Sequence, residues 1–266
     1  MKTRILSALA LLIIFIPLII IGELPFAILI LICGILGLRE LIILKNAKKN
    51  IPLILEILAY LITTFLIMNN YGEKELFFLL DYRIVAFAVF FFISPIVFIN
   101  DKERYNINDA LYLIGSILFI GLSFNLIILI RNYSLLYIIY LFLITCLTDV
   151  FALLTGIYIG KHKLCEKISP KKTIEGLVGG VIMAVVIGSI FYHDAIDPNI
   201  NIFVIMFISM VLSLIGQVGD LCFSAIKRYY NKKDFSNLIP GHGGILDRFD
   251  SIIFVVLAFT LLIVLL

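Results

Sequence analysis

Nine stretches of the chain are apolar at nearly every position: 5–21, 24–38, 51–68, 84–99, 109–130, 134–155, 177–192, 202–219 and 245–266. They lack the two-residue alternation of a half-buried strand, and their lengths approach the roughly 20 helical residues that cross a bilayer core of about 30 Å. An outer-membrane barrel would alternate apolar and polar positions, whereas Ile5 to Ile21 is almost continuously apolar. A helix also satisfies its backbone groups within itself, as lipid demands. The pattern therefore predicts an all-α, polytopic integral membrane helical bundle of about nine transmembrane helices. The first two stretches are short and separated only by Gly22 and Glu23 ahead of Pro25. That leaves a re-entrant hairpin open for the pair, and either arrangement returns the chain to its starting side.

Composition agrees. The 266 residues are 62% hydrophobic and 15% charged, with a mean hydropathy of +1.16, against about 25% charged residues in a soluble domain. Soluble enzymes, disordered chains and secreted disulfide scaffolds are excluded. The four cysteines, Cys33, Cys146, Cys165 and Cys222, form no CxxC pair and no zinc spacing with histidine, so they are read as inert. The net charge of +3 is too small to imply a nucleic-acid partner.

The distribution of charge is more informative. With the N-terminus in the cytoplasm, 18 of the 21 Lys and Arg residues fall on the inside, and only Lys74, Arg83 and Arg131 fall outside. By the positive-inside bias the chain is expected to be a multi-pass protein of the cytoplasmic (inner) membrane. Two long basic loops, 156–176 and 220–250, then face the cytoplasm. They place the chemistry in a C-terminal catalytic region, 131–266. The N-terminal transmembrane helices, 1–130, hold only scattered polar residues such as Glu56 and Asn125. The apolar run after Met-Lys-Thr-Arg lacks a small-x-small cleavage site before Glu23 and is read as structure, not as a signal peptide.

The segment 202–219 makes about 27 Å of helix and brings Asp220 to the cytoplasmic boundary. If the helix continues, Ser224 and Lys227 share Asp220's face. The last apolar run, Ile252 to Leu266, spans the core only if its helix starts near Ile245, which puts Asp247, Arg248 and Asp250 in the first turns. Carboxylates at a bilayer boundary are costly and mark function, and those of Asp220, Asp247 and Asp250 call for a cation between them. The preceding Pro240-Gly241-His242-Gly243-Gly244 would let backbone N–H groups approach a phosphate at a helix N-terminus. Aspartates with phosphates suit Mg²⁺, whereas zinc would want His and Cys. Together with Lys227, Arg228, Lys232 and Lys233 these residues describe a metal-assisted phosphate site, where positioning and charge neutralisation carry the chemistry. His242 is equally readable as a hydrogen-bonded structural residue.

These residues resemble the phosphatidate cytidylyltransferases, the CDP-diacylglycerol synthases. Ser224-Ala225-Ile226-Lys227-Arg228, Lys233-Asp234, His242-Gly243-Gly244 and Asp247-Arg248-Phe249-Asp250 match the family signature at every fixed position. Gly160-Lys161-His162-Lys163-Leu164 and Ser169-Pro170-Lys171-Lys172-Thr173-Ile174-Glu175-Gly176 are similar to the loop that precedes it. Read alone, those lysines fit an anionic-lipid contact; the resemblance adds a nucleotide triphosphate. Leu153 and Ile174 stand where the family usually carries aromatic residues. The resemblance covers residues 145–262.

It implies that CTP and phosphatidate, a membrane lipid, give CDP-diacylglycerol and pyrophosphate on the cytoplasmic face, with Mg²⁺ and room for a second cation, in phospholipid biosynthesis. Asp220 and Asp247 are the expected metal ligands and Asp250 their neighbour. Lys227 and Arg248 stabilise pyrophosphate, while Ser169, Lys172, Thr173, Ser224, Arg228, His242, Gly243 and Gly244 contact substrate. Asp149 is a fourth acid of the site, or else a partner of Lys161 or Arg248. A homodimer is implied by the resemblance alone. Another CTP-dependent lipid-phosphate cytidylyltransferase or a polyprenol kinase would share these features. A transporter would instead bury charge near mid-bilayer.

Overall fold

A computed structural model describes residues 2–47, 50–69, 71–72, 82–99 and 105–263. Lys48, Lys49, Lys74, Lys102 and Arg104, used above to orient the chain, lie outside the described residues. The elements are α1 (Lys2–Ile21), α2 (Glu23–Asn46), α3 (Leu53–Met68), α4 (Tyr82–Ile93), α5 (Pro95–Phe98), α6 (Ile107–Tyr133), α7 (Leu135–Tyr158), β1 (Lys163–Cys165), β2 (Ser169–Thr173), α8 (Ile174–Ala195), α9 (Ile202–Tyr229) and α10 (Leu246–Leu262). The protein is an all-α polytopic membrane protein. Among the described residues five helices, α2, α6, α7, α8 and α9, are long and apolar enough to cross a bilayer. Shorter apolar helices cover Leu9–Ile21, Leu53–Met68 and Arg83–Val97.

Several helices outrun their apolar stretches. The second was expected to end at 38, yet α2 continues to Asn46, and its 24 residues suffice for a full crossing. Likewise α7 runs to Tyr158 and α9 to Tyr229. The loops expected at 156–176 and 220–250 are shorter by those turns, and the first holds the antiparallel β1–β2 hairpin, paired Lys163↔Thr173 and Cys165↔Ser169. Hydropathy marks only where a helix meets lipid. The hydrogen-bonded turns continue past that point until a cap or a turn ends them.

The chain forms two compact units. The first is Met1–Tyr133 with Phe235–Leu246 and the second is Ser134–Asp234 with Asp247–Leu266, so the sequence division at 130 misses an excursion of the later loop into the first unit.

In the first unit α6 is the hub, packed by α2, α3 and α4, and 72% of its most apolar window is buried. Its start is a reciprocal cap: Asn106 N–H donates to Asp109 Oδ2 (3.0 Å) and Asp109 N–H to Asn106 Oδ1 (3.1 Å), the logic of a capping box. Asp109 also pairs with Lys45 at 2.7 Å. Two long polar side chains here serve helix ends. Asn125 Nδ2 donates to Ile67 O (3.0 Å) and Asn69 O (2.7 Å), closing α3. Arg131 donates to Ile19 O (2.8 Å) and Ile20 O (2.7 Å), closing α1. Its guanidinium lies where a Cβ at Gly22 would stand, and Gly22 has φ +71°, so this turn demands glycine twice over. Glu56, without a role on sequence grounds, accepts from Asn46 Nδ2 at 2.5 Å, while Asn46 Oδ1 accepts from Ile51 N–H at 2.9 Å.

In the second unit α7, α8 and α9 pack on one another, with α10 against α9 at Gly216 and Gly219. Only 28% of the α8 window is buried, and Val178, Ile182, Val186 and Ile190 form an exposed stripe of the kind that faces lipid. The α7–α8 crossing is close enough that a Cβ on Gly176 would sit 2.6 Å from Ala152 O, and one on Gly180 2.6 Å from Thr148 O. Small residues of this kind let membrane helices meet backbone to backbone.

Candidate functional site

The close crossing opens towards its polar end into a cavity of about 560 Å³. From α7 come Asp149, Ala152, Leu153, Gly156 and Ile157, which share one face at helical spacing; Gly176 and Leu177 belong to the first turn of α8, and Gln217 and Asp220 to α9. Lys163 on β1 and Lys171, Lys172 and Thr173 on β2 complete the lining. Three cations and two carboxylates therefore share one apolar-floored cavity. Leu153, in place of an aromatic, is among the lining residues and is exposed.

The hairpin is held at its stem. Thr173 is the N-cap of α8, its hydroxyl accepting from Gly176 N–H at 3.1 Å, the arrangement N-cap threonines favour. Glu175 accepts from Lys161 N–H at 3.0 Å and from His162 N–H at 3.2 Å, and lies 2.6 Å from His162 Nδ1. Ile174 N–H donates to His162 O at 2.9 Å. The lysines thus project from a fixed support.

Lys172 Nζ lies 2.6 Å from Asp220 Oδ2. It is buried and has no further hydrogen-bond partner among the described residues. Ammonium protons in excess of the ion pair are costly to bury, and their location in this cavity suits an anionic oxygen. Ser224 Oγ donates to Asp220 Oδ1 at 3.3 Å, as their shared helix face predicts. Asp149 lies within electrostatic range of Asp220, Lys172 and Arg248; Lys161, the other partner considered for it, is not among them. Asp250 is within range of Asp220, Asp149 and Lys227.

Asp247 takes a different place. α10 begins at Leu246, one residue after the expected start, and Asp247 Oδ1 accepts from Lys227 Nζ at 2.6 Å, with the side chains only 3% and 10% exposed. The two carboxylates chosen as metal ligands each face a lysine, Lys172 for Asp220 and Lys227 for Asp247. Arg228 is spent on the backbone, donating to Ile168 O (3.3 Å) and Lys232 O (3.1 Å), which ties the end of α9 to the β1–β2 turn. Ser169 opens β2 and Arg248 is exposed. Among the described residues, no three His, Cys, Asp or Glu side chains form a cluster able to hold a metal by themselves. The donor chemistry therefore fits an ion that takes one or two carboxylates and completes its shell with substrate phosphates, and not a closed zinc site.

His242, Gly243 and Gly244 belong to the first unit. Ser7 Oγ donates to Pro240 O at 3.0 Å and lies 2.8 Å from His242 Nδ1. Gly243 has φ +83° and its carbonyl accepts from Ile239 N–H at 2.8 Å. The expectation that the first amides of α10 receive a phosphate meets a competitor: Ile245 N–H and Leu246 N–H donate to Glu40 at 2.8 and 2.9 Å.

Sequence reasoning missed Glu40, Glu175 and Gln217. Gln217 was visible as a step in the polar series Ser209, Ser213, Gln217, Asp220, Ser224, Lys227, spaced by three or four along α9. Tyr140 and Ser209 hydroxyls are 2.7 Å apart, as are those of Thr148 and Ser213, so the lower part of the series is satisfied by α7 and the upper part meets the cavity.

A family model described as "Cytidylyltransferase family" matches residues 2–266. The chain is 39% identical over 259 residues to a phosphatidate cytidylyltransferase of Bacillus subtilis (strain 168), covering 96% of this chain and 94% of that protein. It is 34% identical over 256 residues to phosphatidate cytidylyltransferases of Staphylococcus haemolyticus (strain JCSC1435) and Staphylococcus aureus (strain COL), covering 96% of both chains in each case.

Proposed function

This chain belongs to the cytidylyltransferase family, and from that premise we propose that it is a phosphatidate cytidylyltransferase, converting CTP and phosphatidate to CDP-diacylglycerol and pyrophosphate. The observation that carries the reading is the mixed-charge cavity of the second unit, with the Lys172 ammonium buried in it beyond the needs of its ion pair.

A phosphatidate phosphate oxygen attacks the α-phosphorus of CTP. A new P–O bond forms, the bond to the α,β-bridging oxygen breaks, and pyrophosphate leaves with the electron pair. Lys163, Lys171 and Lys172 hold the triphosphate, and Lys172 and Arg248 offset charge as the leaving group departs. Ser224 steadies Asp220, and Lys227 fixes Asp247. Asp220 and Asp247 would hold Mg²⁺ together with substrate phosphates, and Asp250 would serve a second cation. When bound, Mg²⁺ offsets negative charge on the nucleotide oxygens.

The reading further places the protein in the inner membrane with the cavity facing the cytoplasm, as a homodimer. A cysteine introduced at 163–168 should label only from inside and one at 193–201 only from outside; labelling of both from one side would refute that orientation. Light scattering in detergent decides the dimer.

Purified in detergent with Mg²⁺, the protein should release pyrophosphate from CTP on addition of phosphatidate and not on addition of a polyprenol; the reverse preference would identify a kinase-type enzyme instead. In the same assay Asp247→Asn should lose most activity and regain part of it at raised Mg²⁺, because a neutral amide holds a hard cation poorly. Superimposable normalised Mg²⁺ curves for parent and variant would reduce Asp247 to a counter-charge for Lys227.

A further inference from the structure

Glu40 is an anomaly in its helix. It lies in α2, is 3% exposed, and carries a charge at a position where burial is expensive unless the charge is well bonded. Its carboxylate accepts hydrogen bonds from both ends of one segment. Oε1 accepts from Ser236 Oγ at 2.7 Å and from Ile245 N–H at 2.8 Å, and Oε2 accepts from Leu246 N–H at 2.9 Å. A Cβ at Gly244 would collide with this carboxylate, so glycine there is what allows it in. Leu246 is the first residue of α10, whose opening N–H groups have no partner within the helix and whose dipole favours an anion. An acidic side chain more than two hundred positions upstream therefore supplies the cap that the helix's own sequence does not.

The segment so held is the signature loop. Phe235, Ile239, Ile245 and Leu246 are buried, Gly241 and Gly243 have positive φ, and Ile239 and Gly243 form a bridge. Glu40 bonds both ends of the stretch that contains His242, Gly243 and Gly244, and Asp247 is the next residue after Leu246. We propose that Glu40 is a positioning residue for cytidylyl transfer: an internal carboxylate takes the place at the α10 amides that a substrate phosphate could otherwise occupy, and so fixes the geometry of the His-Gly-Gly loop. The proposal rests on the function proposed above. Its charge-assisted bonds, shorter and stronger than neutral ones, make the loop rigid before substrate arrives.

The test uses the full-length protein in detergent and the variants Glu40→Gln and Glu40→Asp. Glu40→Gln keeps the shape but loses one acceptor, so kcat should fall by about tenfold to a hundredfold, the cost of slight misplacement of reacting groups, while KM for CTP stays within about twofold of the parent. Glu40→Asp keeps both acceptors and should retain more of kcat than Glu40→Gln. Hydrogen exchange at the Ile245 and Leu246 amides should be slow in the parent and faster in Glu40→Gln. If Glu40→Gln and Glu40→Asp turn over at the parent's rate, with only the melting temperature lowered, or if the whole loss falls in KM for CTP, the proposal is overturned. The exchange measurement separates this failure from that of the functional reading. A parent that does not use CTP and phosphatidate refutes the reading, whereas unchanged exchange in Glu40→Gln refutes the clamp whatever the substrate.

Discussion

In the first compact unit several long polar side chains bond the ends of helices; in the second a series of them runs along the length of one. Arg131, Asn125 and Glu40 bond backbone groups where α1, α3 and α10 stop or start. On α9, by contrast, polar residues recur from Ser209 to Lys227, bonded to side chains of α7 in the lower half and ending in two lysine–aspartate pairs. The first pattern answers the four unsatisfied groups at each helix terminus, a demand that lipid makes acute. The second answers no backbone demand, because the middle of a helix satisfies itself. A polar stripe along a membrane helix therefore points to interhelical bonding or to chemistry, and here the stripe passes from one to the other where the cavity opens.

The largest effect that would break this contrast is expected at Lys227. Lys227→Ala leaves the Asp247 carboxylate buried without its cation, and removal of one partner of a buried pair costs about 3–5 kcal/mol. Denaturation in detergent should show that loss, together with loss of CTP turnover; a loss below about 1 kcal/mol would mean that the pair behaves as a surface one. Lys172→Ala should separate the two properties. Its ion pair is about one fifth to one quarter exposed, so stability should change by roughly 1 kcal/mol or less, while KM for CTP rises and kcat falls by tenfold or more on removal of a phosphate-facing cation, at about 1.4 kcal/mol per tenfold. Parent-like kinetics would remove Lys172 from the site. The smallest effect on activity is expected in the first unit. Asn125→Ala should cost about 1–2 kcal/mol of stability, as for lost caps and buried hydrogen bonds, with kcat unchanged at a temperature where the variant is folded. A fall in kcat at full folding would show that the helix-end pattern also carries function.

Much of this was legible in the sequence. Membrane class followed from hydropathy, and the contact of Ser224 with Asp220 followed from helical spacing. What hydropathy could not reveal is the length of α2, α7 and α9 beyond their apolar runs, because a helix end is set by caps and turns and not by hydropathy. Nor could spacing assign partners. Lys227 shares a face with Asp220, yet it bonds Asp247 on α10, while Asp220 is met by Lys172 from the hairpin. Glu40 was illegible for the same reason in stronger form: its partners, Ser236, Ile245 and Leu246, are remote in the chain, and an acidic residue two positions past an apolar run reads as an ordinary interfacial charge.

The Glu40 clamp also orders events in time. Its backbone partners lie 205 and 206 residues downstream, which at a synthesis rate of about 5–20 residues per second means roughly 10–40 s between the emergence of α2 and that of its last partners. Through that interval the carboxylate lacks the backbone donors that bond it in the finished protein. The first unit is thus begun first and closed last.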